Sequence, residues 1–306
     1  MHVVVVGAGA IGSVIAADLA DQCFDVTLIA RGARLQWLRD HPLTIWHDDI
    51  LHHSEVRVAG WPDLTRPADL AVLCTKTGDL TEALASLAPF LVPGGTVLTL
   101  QNGVEAPAAA AVALPGATIL AGRVHGFFEL AGHNVRHVGV RPSIRLGFVS
   151  GAHPAAQNEA ATLLTRTRFS IQVDDDIMTA LWEKMLLTAA LGGLAAAMDC
   201  AAGELCLRPQ GEELLRQAML EVGLVARDHG ANLDAAAVER QLGFVREFPS
   251  DATTSLQRDL QGGAHSEYDA LVGAVLRLAA QANLNVPRFR QIDAEIRARY
   301  PNSIST

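Results

Sequence analysis

Lysine is nearly missing from this 306-residue chain: of 24 basic side chains, only Lys76 and Lys184 are not arginine. The two cations are not interchangeable. Arginine stays protonated and offers a planar fork, whereas lysine is a compact ammonium whose pKa can fall far enough for it to release a proton. A group that must hand over a proton can be lysine and hardly arginine. Both lysines are therefore suspects for chemistry, although a general arginine bias with two chance survivors accounts for the count equally well. Cysteine is scarce too. Cys23, Cys74, Cys200 and Cys206 lack C-x-x-C spacing and read as small core residues in a reducing compartment. The net charge is −9, aromatics make up 5%, and no basic run carries interleaved aromatics, which argues against a nucleic-acid partner. The longest apolar stretches contain charges or glycines, so no membrane span is expected. Residues 1–6 run straight into a motif with no basic n-region or cleavage site. No secretory leader is expected, and the natural address is cytoplasmic.

What is present begins with alternating strands and helices. The length suggests two domains. His2–Val6 is a β-branched run that suits a buried parallel strand. Gly7-Ala8-Gly9-Ala10-Ile11-Gly12 follows at once, and Ser13 to Asp21 has the apolar spacing of a helix. Strand, G-x-G-x-x-G and helix in that order form the context that gives the motif meaning. Gly7 permits the tight turn, Gly9 lets backbone approach a pyrophosphate, and Gly12 allows helix and strand to pack closely. The helix N-terminus offers N–H groups to the phosphates. The next strand, Val26–Ala30, ends at Arg31 instead of the acidic residue that would bind a ribose 2′-hydroxyl, and Arg34 is close behind. A guanidinium pairs with a 2′-phosphate, so NADPH is preferred to NADH. Ala68–Cys74 ends at Lys76, and Thr96–Leu100 ends at Gln101-Asn102-Gly103. Both Lys76 and Asn102 thus fall at the carboxyl edge of the sheet, where ligands sit in such folds. Asn102 also suits the first half of an ordinary Asn-Gly turn. Strands over 119–124 and 143–148, a hairpin-like insertion around 134–141 and a last strand over 169–173 complete the pattern.

The second half is helical. Asp174-Asp175-Asp176 suits a helix start and a domain junction; three sequence neighbours do not converge easily on one ion, and no metal is expected. The expected architecture is a Rossmann-type, doubly wound, mostly parallel α/β domain over 1–174, followed by an all-α domain over 175–306. One helix runs from Ile177 to about Met198 and lines up Lys184, Thr188 and Gly192 on one face. Gly192-Gly193 weakens that helix by roughly 1 kcal/mol per glycine, which suggests close approach by another backbone or a ligand. A helix over 253–259 breaks at Gly262-Gly263, and another starts near His265. Ser255 and Ser266 both suit caps, and Glu267 suits a first helical turn.

Taken in order, these parts resemble the ketopantoate reductase (2-dehydropantoate 2-reductase) family over nearly the whole chain. The resemblance runs from the glycine motif through Lys76, Leu100-Gln101-Asn102-Gly103-Val104 and Trp182-Glu183-Lys184. It continues through Ala202-Gly203-Glu204-Leu205 and Ser255-Leu256-Gln257-Arg258-Asp259 to Ser266-Glu267-Tyr268-Asp269. It implies that Lys184 is the general acid and that Glu267 assists it. Asn102 and Ser255 would hold the substrate, with Thr188 on the same wall, and Asn102, Lys76, Arg31 and the segment Gly7 to Gly12 would line the NADPH site. Reduction of ketopantoate to pantoate in pantothenate biosynthesis is the implied activity. Three departures bear on the substrate: Thr188 and Gly192 stand where the family usually has asparagine, and Ala264 where it usually has arginine. Losing both amides removes hydrogen bonds and would enlarge the pocket for a bulkier 2-keto acid. A D-2-hydroxyacid dehydrogenase is therefore the alternative enzyme, and a non-catalytic dinucleotide sensor the alternative of another class. The alanine-rich helices leave room for a homodimer.

Overall fold

The computed structural model describes every residue except 48–49, 264–265 and 305–306, together with the side chain of Val138. Ala264 and the helix start read at His265 lie outside the described residues. The chain forms two compact units, Met1–Gln101 with Ala106–Ile177, and Asn102–Glu105 with Met178–Thr306.

The first unit is built on one sheet. Its strands are β1 (Val3–Val6), β2 (Val26–Ile29), β3 (Leu43–His47), β4 (Ile50–Ser54), β5 (Arg57–Ala59), β6 (Ala68–Leu73), β7 (Leu91–Thr99), β8 (Thr118–Ala131), β9 (Asn134–Ser150) and β10 (Ser170–Val173). They are ordered β4-β3-β9-β8-β7-β6-β1-β2-β5, with β10 added on β9. From β5 to β8 every neighbouring pair is parallel. The first strand is central, and the chain winds outward from it in both directions, so the order reverses between β1 and β6. That is the switch point where open α/β sheets bind ligands. β1 shows why the sequence folds this way. Val3 and Val5 belong to one buried cluster and Val4 and Val6 to another, so the all-valine run covers both faces of the strand.

Two features differ from expectation. The strands read at 119–124 and 143–148 and the separate hairpin between them are one long antiparallel pair, β8 with β9. A register shift between His125 and Phe127, at Gly126 with φ of 141°, lets the pair bend without ending. The β3–β4 hairpin and the short β5 were not read at all. Leu43 and Ile45 are buried there while Trp46, Ile50 and Leu51 are exposed, so the apolar residues do not mark one buried face.

The second unit is helical, with main helices Ile177–Met198, Gly211–Asp228, Ala237–Arg246, Ser255–Gln261, Ala274–Gln281 and Pro287–Arg299. Leu186, Ala189, Leu215, Met219, Val222, Val275, Phe289, Ile292 and Ile296 are buried. A Cβ on Gly193 would stand 3.0 Å from Ile292 Cγ2 and 3.3 Å from Val272 Cγ2, so this glycine admits close neighbours to the long helix. Contrary to the sequence reading, Ile177–Met198 is long and apolar enough to cross a bilayer by length and composition alone. Of its most apolar window, 67% is buried within the protein, as in a core helix.

Candidate functional site

The glycine turn follows β1 directly. Gly7 has φ of 107°, and a Cβ there would stand 2.9 Å from the backbone nitrogen of Thr75, just past β6. A Cβ on Gly12 would meet the Gly7 carbonyl oxygen at 2.1 Å. Gly9 caps the helix Ala10–Asp21, and a Cβ built on it meets no atom within 4 Å. Two glycines thus close the turn, and the third opens toward free space above a helix N-terminus, with Ala8, Ala10 and Ile11 between them. Those are the features that a bound diphosphate requires. Cys74 packs beside Gly12, and burial pushes its thiol up to about 12, which keeps it neutral.

The three cations near this turn behave differently. Arg31 caps the helix Gly32–Asp40, and its guanidinium meets Asp79 at 2.6 Å and Glu82 at 3.0 Å. Asp79, and after it Glu82, hold that guanidinium above its ordinary pKa. Arg34 turns inward instead. It donates to the Ala8 carbonyl at 3.1 Å, the His133 carbonyl at 2.6 Å and Ser13 Oγ at 3.3 Å, and lies over the Trp37 ring. Burial moves its pKa down. Arg34, noted in the sequence only as lying close behind Arg31, thus spends its guanidinium on the turn and on the His133 carbonyl. Lys76 is exposed just past β6, before the turn Thr77–Asp79.

In the second unit, three distant residues meet. Lys184 Nζ donates to Asn102 Oδ1 at 2.7 Å, and Asn102 Nδ2 donates to Glu267 Oε2 at 2.7 Å. The cation faces the amide oxygen and the carboxylate faces the amide nitrogen, so chemistry fixes which way the amide points. All three side chains are partly buried. Asn102 is held there by its neighbours. A Cβ on Gly103, at φ of 95°, would stand 3.0 Å from the Ala270 carbonyl, and Glu105 takes two bonds from Arg277, at 2.7 and 3.2 Å. Glu267, Ala270 and Arg277 thus anchor one short segment, Asn102–Glu105. Between them lies a π-helical stretch, Asp269–Gly273, of the kind found often at functional sites. Asn102 had suited a simple turn; the structure makes it the bridge between Lys184 and Glu267.

The remaining candidates are placed less tightly. Thr188 Oγ1 donates to the Lys184 carbonyl at 3.0 Å, one turn back along its own helix. A Cβ on Gly192 would lie 3.5 Å from Leu256 and 3.7 Å from Thr254 Oγ1, so those side chains line the space that an asparagine would enter. Ser255 is exposed at the start of the helix Ser255–Gln261; the cap is Thr254, whose Oγ1 accepts from Gln257 N at 3.2 Å. Ser266 is not a cap either, since its hydroxyl donates to the Ser303 carbonyl at 3.4 Å. Asp174 Oδ1 accepts from Asp176 N at 3.0 Å, a local turn of the acidic triplet just before the long helix.

A Rossmann-type unit carrying a three-glycine turn, in one chain with a helical unit carrying a lysine–amide–carboxylate relay, defines a class of two-domain α/β protein. Comparison narrows the class. Residues 3–151 match the family model described as ketopantoate reductase PanE/ApbA, and residues 176–299 match its C-terminal model. A 2-dehydropantoate 2-reductase of Halobacterium salinarum is 31% identical over 295 residues, covering 95% of this chain and 96% of the relative. One of Mesorhizobium japonicum is 28% identical, with 97% of each chain covered. Among solved structures, a PanE/ApbA family ketopantoate reductase from Ralstonia eutropha superposes with a TM-score of 0.88 at 28% identity, with 99% of both chains covered. A D-mandelate dehydrogenase solved with NADH and anilino(oxo)acetate has the same fold, with a TM-score of 0.89 at 20% identity and 99% coverage of both. The chain belongs to the ketopantoate reductase family, a family of oxidoreductases.

Proposed function

We propose that this protein is an NADPH-dependent reductase of a 2-keto acid, with 2-dehydropantoate as the substrate and pantothenate biosynthesis as the setting. The observation that carries the reading is the Lys184–Asn102–Glu267 relay, which spends one of only two lysines on a held, partly buried ammonium. The dinucleotide would be held by the turn from Gly7 to Gly12, by Arg31 on its 2′-phosphate and by Lys76 and Asn102; when bound, it supplies the hydride. As charge grows on the carbonyl oxygen of the keto acid, Lys184 Nζ stabilises it and gives it a proton. Asn102 fixes the position of Nζ through Oδ1, and Glu267 fixes Asn102 while supplying the compensating negative charge. Ser255, Thr188 and a second N–H of Asn102 would bind the acid's polar groups. A cytoplasmic homodimer belongs to the same reading; a dimeric ketopantoate reductase from Staphylococcus aureus shares the fold, with a TM-score of 0.85 at 22% identity.

A second substrate reading rests on Thr188 and Gly192. Neither presents an amide to a hydroxylated acid, so a D-2-hydroxyacid dehydrogenase acting on a bulkier 2-keto acid is the alternative, and the D-mandelate dehydrogenase fold is consistent with it. Oxidation of NADPH, followed by absorbance, is measured against 2-dehydropantoate and a series of 2-keto acids with larger apolar groups. Turnover highest on 2-dehydropantoate supports the first reading. A preference for an aryl or branched acid supports the second. Dinucleotide binding with no turnover on any acid would leave a sensor.

A further inference from the structure

Arg31 is already occupied. It follows β2, and Asp79 follows β6, and these strands flank β1 on its two sides. The Arg31–Asp79 pair therefore joins the carboxyl ends of the strands on either side of the glycine turn, and Glu82 closes on the same guanidinium. Two carboxylates engage both terminal nitrogens of the side chain to which a 2′-phosphate would bind. Resting on the dinucleotide reading above, we propose that Asp79 and Glu82 are specificity-determining residues that oppose the 2′-phosphate and so draw the preference for NADPH down toward NADH.

A phosphate monoester brings between one and two negative charges, and a ribose hydroxyl brings none. A 2′-phosphate must share Arg31 with both carboxylates or displace them, against their repulsion. A 2′-hydroxyl meets no such opposition. Arg31 is 65% exposed and Glu82 71%, so that pairing is solvent-screened and modest in energy; Asp79, at 30%, is screened less and is the stronger competitor for the guanidinium. The chain is thereby built for a weak choice between the two cofactors. Acidic residues at a helix start also suit the helix dipole; Asp79 is the N-cap of the helix Leu80–Leu87 and Glu82 lies in its first turn. That role alone predicts no effect on cofactor preference, which makes the two accounts separable.

NADPH and NADH are titrated separately into the full chain, followed by nicotinamide fluorescence, at about 0.05 M and about 0.5 M salt. The unaltered protein is compared with Glu82→Gln and with the double variant Asp79→Asn/Glu82→Gln. NADPH should bind roughly twofold to fivefold tighter to the single variant and about tenfold tighter to the double variant, with NADH changed less than about twofold. The gain should shrink at the higher salt. Looser NADPH binding, or parallel shifts for both cofactors, overturns the inference alone. Failure of the unaltered protein to bind either dinucleotide overturns the reading beneath it and the inference together.

Discussion

The glycine turn and the lysine relay are built in opposite ways. The turn comes from six consecutive residues, and its working groups are backbone; what matters is the absence of side chains at Gly7, Gly9 and Gly12. The relay comes from residues 102, 184 and 267, and its working groups are all side chains. One site is specified by what is left out locally, the other by what long-range folding brings together. The turn should therefore fail sterically, through binding, and the relay chemically, through turnover.

The sharpest test of that contrast is Lys184→Arg. The charge stays and the proton donor goes, because a guanidinium does not give up its proton near neutral pH. Turnover should fall about 10²- to 10⁴-fold while dinucleotide affinity moves little. Steady-state kcat and fluorescence titration of NADPH measure the two quantities. A kcat within a few-fold of the unaltered enzyme would refute the assignment of Lys184.

Gly12→Ala should break the other site in the complementary way. Helix propensity favours alanine by about 1 kcal/mol. Sterics oppose it, since the new Cβ would stand 2.1 Å from the Gly7 carbonyl oxygen, a backbone atom with nowhere to rotate. Overpacking of this kind typically costs about 1–3 kcal/mol, so affinity for either dinucleotide should drop roughly 10- to 100-fold. Thermal unfolding and titration together decide it. A raised Tm with unchanged affinity would mean that propensity wins and that the turn is slack.

The same contrast explains what the sequence disclosed. β1, the glycine turn and the parallel strands after it were legible because short β-branched runs bounded by glycine are local signals. Lys184 was singled out by the scarcity of lysine and given its role, with Glu267, through the resemblance, but Asn102 as their bridge was not. It depends on Gly103 meeting Ala270 and Glu105 meeting Arg277, contacts with no trace in local pattern. The cap at Thr254 was missed by one residue, as boundaries usually are, because Thr and Ser both suit the position. The β3–β4 hairpin escaped because its apolar residues fall on buried and exposed positions alike, so they trace no clean alternation. The ion pairs of Arg31 with Asp79 and Glu82 join residues 48 and 51 apart, so sequence gave the arginine without its competitors.

A smaller expected effect separates the two arginines beside the turn. Arg34 donates to the Ala8 carbonyl and to Ser13, and a trans peptide is planar, so holding the Ala8 oxygen turns the Gly9 N–H to the opposite side. Arg34 would act through backbone geometry that NADPH and NADH share, whereas on the proposal above Asp79 and Glu82 would act on a phosphate that only NADPH carries. Arg34→Met keeps the packing against Trp37 and removes the donors. Each lost bond of this kind is worth about 1 kcal/mol, so NADPH and NADH should both weaken, by about 3- to 10-fold. Their ratio should stay constant. A ratio that moves with Arg34→Met would place this side chain on the 2′-phosphate after all, and the division of labour between the two arginines would be lost.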